Sequence, residues 1–361
     1  MSVIQRSVQI PLFIKIERGS LLRIQDVIDE HHLQFRKPIV LSQETILARG
    51  GNDVVHALGD AAIHLVQENS IAEANTVIEE IKKKGNDVVV SVGGGRVLDM
   101  GKYIATKARI NYISVPTSPS NDGLCSSVAV LKNDKRITES INVNMPVGIV
   151  VDPQIMTSAP DSVIQSGIGD VISNISAIED WKLAYTEEGE QYDDFAASLA
   201  SSAAQLIYEM CKNGPIDTNS EDFLEKLTHG LILSGIAMHI AGSSRPASGS
   251  EHEISHAIDA LFPGRSTHGL QVAFATVLMT YLRNGKNIES ISDLLHFFSN
   301  IGLPLRHTDI GLTDEEIIQA IVYAPKTRPD RYTILEKLEL DEAGAAELLQ
   351  DYLQVLEHYE A

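Results

Sequence analysis

The run Asp87-Val88-Val89-Val90-Ser91-Val92-Gly93-Gly94-Gly95-Arg96, continuing into Val97-Leu98-Asp99-Met100-Gly101-Lys102, decides how the first part of this chain is read. Its β-branched residues, bounded by Gly85-Asn86 and Gly93, predict a buried strand. The apolar periodicity from Val97 to Lys107 predicts a helix directly after the glycines. Glycines allow a ligand to approach the backbone closely and allow positive φ. The helix N-terminus behind them offers N–H groups and partial positive charge to phosphate oxygens. Gly93, Gly94 and Gly95 are therefore candidates to cradle the pyrophosphate of a dinucleotide, with Asp99 within reach of the same cofactor. The spacing departs from G-x-G-x-x-G, and a plain strand-to-helix turn would use the same residues.

Working outward, Pro38-Ile39-Val40-Leu41, Tyr112-Ile113-Ser114-Val115-Pro116 and Val147-Gly148-Ile149-Val150-Val151-Asp152 read as further short strands, and Ile71 to Lys84 as an amphipathic helix. Strands alternating with helices imply a mostly parallel sheet covered on both faces. Ser126 to Leu131 and Ile137 to Ile141 can form a hairpin around Lys132-Asn133-Asp134-Lys135. The loop Pro116-Thr117-Ser118-Pro119-Ser120-Asn121-Asp122-Gly123 leaves the sheet at the carboxyl edge, where α/β proteins bind ligands. Thr117, Ser118 and, beyond the loop, Ser126 are candidate cofactor-binding hydroxyls. Asp122 is a candidate to bind a substrate hydroxyl or relay a proton; an ordinary polar turn is the alternative.

After Asp152 the β-branched runs thin out. Ile164 to Thr186, Asp193 to Cys211, Phe223 to His239, Gly269 to Arg283, Ile288 to Ile301, Asp314 to Tyr323 and Asp341 to Tyr359 carry helical periodicity. Thr313, with Glu316 three residues on, reads as a capping box. The expected organisation is an α/β dinucleotide-binding domain over 1–152 and an all-α metal- and substrate-binding domain over 153–361, with Pro153 ending the last strand.

With 361 residues, of which 43% are hydrophobic, two such domains can each bury a core. The 29 basic against 49 acidic residues give a formal charge of −20, which argues against a nucleic-acid partner. Two cysteines, Cys125 and Cys211, are too few for a disulfide framework and fit a reducing cytoplasm. The chain shows no signal-peptide core and no apolar stretch of roughly 20 residues, so no membrane span is expected.

Chemistry gathers around Glu251-His252-Glu253-Ile254-Ser255-His256 and Thr267-His268-Gly269. His252 and His256 lie one turn apart on a helical face, and His268 can return to that face across a short loop. A structural zinc site usually closes its four positions with thiolates and imidazoles, whereas a catalytic one keeps a position for substrate. Gly167-Ile168-Gly169-Asp170 reads as the opening of a helix, where Asp170 is either a cap or a carboxylate ligand. Asp170, His252 and His268 together form a one-carboxylate, two-imidazole set that suits Zn²⁺, with Ni²⁺ and Fe²⁺ left open.

These motifs resemble the glycerol-1-phosphate dehydrogenases, within the wider superfamily of glycerol dehydrogenases, iron-containing alcohol dehydrogenases and dehydroquinate synthases. The resemblance runs in order from Gly93-Gly94-Gly95-Arg96-Val97-Leu98-Asp99-Met100-Gly101-Lys102 through Ser114-Val115-Pro116-Thr117, Asp122-Gly123, Gly169-Asp170 and Asp180-Trp181-Lys182-Leu183-Ala184. It continues through Ser244-Arg245-Pro246-Ala247-Ser248-Gly249-Ser250-Glu251-His252, His268-Gly269 and the segment from Ala324 to Thr333. It implies a dehydroquinate synthase-like fold with an active site between an NAD(P) domain and a helical metal domain. It also implies metal ligands Asp170, His252 and His268, with His256 near the nicotinamide and the reacting carbon. Asp122 matches a substrate-contacting aspartate, and Thr117 a cofactor-loop residue.

Three positions depart from the family pattern. Asn121 stands where histidine is usual, Asn174 where lysine is typical, and Leu270 where glutamate is common. The expected activity is metal-dependent, NAD- or NADP-linked interconversion of a small ketone and alcohol, as in phospholipid metabolism. The expected pair is dihydroxyacetone phosphate and sn-glycerol-1-phosphate, handled by a homo-oligomer. Arg245 is a candidate for the substrate phosphate, with a surface or interdomain salt bridge as its alternative. A cyclase of dehydroquinate-synthase type and a non-catalytic ligand-binding relative are the competing readings.

Overall fold

The structure, a computed structural model, describes residues 10–212 and 214–360. The chain divides into two compact units. One comprises Met1–Pro160 with Asn219–Ile240, the other Asp161–Thr218 with Ala241–Ala361.

The first unit is built on a six-stranded, all-parallel sheet in the order β1-β8-β5-β4-β2-β3. Its strands are β1 (Phe13–Ile16), β2 (Pro38–Ser42), β3 (Ala62–Leu65), β4 (Val88–Gly93), β5 (Asn111–Pro116) and β8 (Gly148–Val151). The hairpin β6 (Val128–Lys132) and β7 (Thr138–Asn142) forms where the sequence predicts it. Alternation along the strands sorts side chains between two cores. Val88, Val90 and Val92 of β4 pack with Val40 against Ile24, Val27 and Val54. Val89, Ile39 and Leu41 pack with Val77, Ile81, Met100 and Ile104 on the other face. Both faces are thus dry, which is why these strands read as continuous apolar runs.

The four strands read from sequence all form. β1 and β3, the two edges, were not foreseen. β3 is only four residues long; its run Ala62-Ile63-His64-Leu65 is apolar but for His64, yet Ile63 and Leu65 stand exposed at the sheet edge. Pro153 stops β8 as expected: Asp152 accepts a hydrogen bond from the Gln154 N–H at 3.1 Å and starts the Pro153–Met156 helix.

The second unit is helical. The run expected over 164–186 is interrupted at Ser173 into Asp161–Ile172 and Asn174–Glu188. Helices Asp194–Cys211, Ser250–Leu261, His268–Arg283, Ser292–Ile301, Asp314–Tyr323 and Glu342–Glu360 follow. Thr313 and Glu316 form the expected reciprocal capping box. The Glu221–Ala241 helix forms as read, but most of it groups with the sheet. A Cβ at Gly235 would lie 2.9 Å from the Ser126 amide nitrogen, so this helix runs hard against the loop that follows β5. A single cut after Asp152, as drawn from composition, therefore differs from the contact grouping, which returns this later helix to the first unit.

Candidate metal centre and cofactor loop

In the helical unit, Asp170, His252 and His268 come together with one donor atom each, all within 4.8 Å of one another. His252 Nε2 lies 3.7 Å and His268 Nε2 3.8 Å from Asp170 Oδ1. Ligands at zinc bond lengths in a tetrahedral arrangement are about 3.4 Å apart, so each imidazole needs to close on Asp170 by only a few tenths of an ångström.

The approach depends on two glycines. A Cβ at Gly169 would lie 2.2 Å from the Gly269 carbonyl oxygen, and one at Gly269 would lie 1.9 Å from the Ser166 carbonyl oxygen. The Asp161–Ile172 and His268–Arg283 helices thus touch backbone to backbone, which sets Asp170 beside His268. The sequence reading placed Asp170 at the opening of a helix. It instead lies near the carboxyl end of Asp161–Ile172, so the cap reading falls. Gly169, one residue before it, is there for helix-to-helix contact.

Partners behind the two candidate imidazole ligands fix which nitrogen faces Asp170. His252 Nδ1 bonds Glu251 Oε1 at 2.9 Å, which directs Nε2 toward Asp170. Glu251 Oε1 is itself held by the Gly249 N–H at 2.6 Å. His268 Nδ1 bonds Ser255 Oγ at 2.9 Å, and that hydroxyl donates to Gln271 Oε1 at 2.7 Å. Gln271 Nε2 is anchored on Asp259 at 3.1 Å. Burial, the largest influence on His252, opposes its charge, but Asp170 and Glu251 together raise its pKa to about 9. His256 is held well below the usual imidazole range by burial and then by the charge of Arg328. Its ring centroid lies 6.2 Å from those of both His252 and His268, outside the three-donor group.

Glu251, Ser255 and Gln271 were not singled out from sequence. The available signal was helical spacing: Ser255 follows His252, and Gln271 follows His268, by three residues, so each shares a face with a ligand. A buried hub supports the same helix start. The Asp180 carboxylate accepts from the Ser250 N–H at 2.8 Å, the Ser250 hydroxyl at 2.6 Å and the Ile334 N–H at 3.0 Å, and pairs with Arg283. Arg245, weighed as a phosphate ligand, is buried and bonds Glu190 through both Nε and Nη2, with Nη1 on the Tyr332 carbonyl. Its guanidinium is thus engaged in a salt bridge, though one in which Arg245 is buried and both partners belong to the helical unit, not the surface or interdomain bridge expected as the alternative. Asn174 is buried and donates to the Ala200 carbonyl at 3.1 Å.

In the α/β unit, the two loops expected to bind cofactor lie side by side. Gly93 pairs with Pro116 at the ends of β4 and β5, and the Thr117 N–H donates to the Gly93 carbonyl at 3.1 Å. The strand order reverses between β2 and β4, the kind of switch point where α/β sheets take ligands. None of the three glycines uses positive φ, contrary to the freedom expected of them. A Cβ at Gly93 would strike Val97 at 2.9 Å, so this glycine serves strand-to-helix packing. At Gly94 and Gly95 a Cβ would meet only Ser118 Oγ and Asn121 Nδ2, each at an ordinary 3.5 Å. Internal packing therefore does not demand glycine at these two positions. They stand at the start of the Gly95–Ala108 helix, which has no side-chain cap.

Asp99 pairs with Lys102 at 2.9 Å, and the buried Lys102 ammonium also donates to the Gly123 carbonyl at 2.8 Å and to the Val128 carbonyl. Burial holds the Asp99 carboxyl above the usual range, against the opposing pull of Lys102. Ser126 is buried, with Lys102 Nζ 3.4 Å from its oxygen. Asn121 Oδ1 accepts from the Gly123 N–H at 2.9 Å, and Asp122 Oδ2 accepts from the Ser234 hydroxyl at 3.0 Å.

Residues 15–160 match the iron-containing alcohol dehydrogenase family. Over 335 residues the chain is 35% identical to a glycerol-1-phosphate dehydrogenase [NAD(P)+] of Hyperthermus butylicus, covering 91% of this chain and 93% of the relative. The chain belongs to the glycerol-1-phosphate dehydrogenase family. Another member, from Methanosphaera stadtmanae, is 36% identical over 334 residues, covering 91% of this chain and 93% of the relative. Among solved structures, the glycerol dehydrogenase of Schizosaccharomyces pombe superposes with a TM-score of 0.80 at 19% identity, covering 99% of this chain and 92% of that one. At that identity the likeness speaks to the fold alone, a parallel α/β unit followed by a helical one as expected. No helix among the described residues is long and apolar enough to cross a membrane.

Proposed function

We propose that this chain is a metal-dependent, NAD(P)-linked oxidoreductase that interconverts dihydroxyacetone phosphate and sn-glycerol-1-phosphate. The observation that carries this reading is the Asp170, His252 and His268 group, whose imidazoles are already oriented by Glu251 and Ser255. Its family membership supplies the substrate. The α/β unit is assigned to the cofactor and the helical unit to the metal, and the working form is assigned as a homo-oligomer.

Asp170, His252 and His268 hold a divalent ion, with Zn²⁺ the choice that suits two imidazoles and a carboxylate. When bound, it supplies a Lewis acid for the ketone oxygen. Gly94 and Gly95, with Gly93 behind them and Thr117 and Ser118 alongside, receive the pyrophosphate of NAD(P). Asp99, assigned to the cofactor in sequence, and Ser126 act through Lys102, which holds the 123–128 loop in place. Reduction consumes the ketone, NAD(P)H and one proton, and yields the alcohol and NAD(P)+. His256, uncharged near neutral pH, takes a proton at one ring nitrogen while giving one from the other. Asp122 is assigned to the substrate hydroxyl or to the same proton path.

The test is oxidation of NADH and NADPH by the zinc- or nickel-loaded protein, offered dihydroxyacetone phosphate. Turnover that stops on chelation and returns with metal is expected. No turnover with either cofactor at any metal loading would overturn the assignment.

A further inference from the structure

Around Ser244 the helical unit gathers three arginines, Arg245, Arg328 and Arg331, in a chain whose formal charge is −20. They are not equivalent. Glu190 neutralises Arg245 through two hydrogen bonds. Arg331 is spent on protein oxygens: its guanidinium donates to the Ser248 carbonyl and, at 2.8 Å, to Ser244 Oγ. Arg328 is the exception. Among the described residues its guanidinium makes one hydrogen bond, a long 3.5 Å contact to Ser244 Oγ, and no carboxylate lies within ion-pairing distance of it or of Arg331. A part-buried guanidinium with most of its donors unspent, beside a second unpaired one, favours an anion.

The position of Arg328 ties that anion to the metal centre. Thr327, its neighbour, contacts the Glu253 carbonyl at 3.5 Å, on the helix turn between His252 and His256. Arg331 grips the residue two before the start of that same helix.

We propose that Arg328 binds the phosphate of the substrate, and that Arg331 is a positioning residue that fastens the Arg328 segment to the metal-bearing helix. Arg328 thereby selects phosphorylated over unphosphorylated ketones. The proposal rests on the dehydrogenase reading for its substrate, but the anion site itself can be tested without turnover.

Two measurements on metal-loaded protein decide it, with wild type, Arg328→Gln and Arg328→Lys. The first is kcat/KM for dihydroxyacetone phosphate and for dihydroxyacetone. In Arg328→Gln the ratio of the two should fall by about 10- to 100-fold, the worth of a charged hydrogen-bonded contact, with Arg328→Lys falling less. The second is the rise in melting temperature on adding inorganic phosphate, which should be present in wild type and lost in Arg328→Gln. A ratio left unchanged while both activities fall together would make Arg328 merely structural and overturn the proposal, as would an undiminished phosphate shift in Arg328→Gln. If wild type turns over neither ketone, the dehydrogenase reading fails, and the phosphate shift alone then decides the anion site.

Discussion

Replacing Ser255 by alanine isolates the contribution of a group that never touches the metal. The hydroxyl accepts from His268 Nδ1 and donates to Gln271 Oε1, at 2.9 and 2.7 Å. Ser255 and Gln271 are fully buried, so no water replaces the bond lost by Gln271. An orphaned buried acceptor costs about 1–3 kcal/mol. The His268 ring is 34% exposed and regains part of its loss from solvent, so the metal-free protein should lose stability near the lower half of that range. The effect on the metal is separate. Without Ser255 the His268 ring loses the bond that fixes its tautomer and orientation, and such partners are worth about 10- to 100-fold in metal affinity, or roughly 1.4–2.7 kcal/mol. Competition with a chromophoric chelator measures affinity, and urea unfolding of the metal-free form measures stability. A metal affinity within about twofold of wild type would refute the second-partner argument, whatever happened to stability.

The glycines give a paired contrast. Gly269→Ala places a methyl 1.9 Å from a backbone oxygen that cannot yield, and should lower thermal stability by more than the roughly 1–3 kcal/mol of ordinary overpacking while also loosening the metal. Gly94→Ala meets only a serine hydroxyl at 3.5 Å, so it should fold like wild type yet bind NAD(H) more weakly by fluorescence titration; unchanged binding would remove Gly94 from the cofactor site. Lys102→Met strands Asp99 and the 123–128 carbonyls, and should cost about 3 kcal/mol in urea unfolding, the low end for a broken buried pair because Asp99 is 16% exposed. A loss below about 1 kcal/mol would count against the clamp.

Local pattern made much of this molecule legible. β4 and β5 are short, apolar and bounded by glycine or proline, and they form within a residue of where the sequence places them. The edge strand β3 was missed although Ala62-Ile63-His64-Leu65 is largely apolar: four residues carry too short a pattern to separate strand from loop, and only pairing with β2 makes it a strand. Helix propensity and spacing likewise revealed the two histidines of the Ser250–Leu261 helix. They did not reveal that Gly169 and Gly269 face each other, because that contact joins residues a hundred positions apart.

What the sequence by itself determined is the inventory: a parallel α/β unit with a glycine loop, a helical unit, and a carboxylate and three imidazoles able to serve a metal. What only the tertiary structure decided is the division of labour among those groups. Arg245 and Arg328 have the same side chain in neighbouring motifs, yet one is neutralised by Glu190 and the other is not. His252 and His256 share a helical face, yet only one has a donor atom in the group with Asp170 and His268. Charge pairing and donor distance are set by residues far apart in the chain, so these assignments become readable only once the backbone has closed on itself.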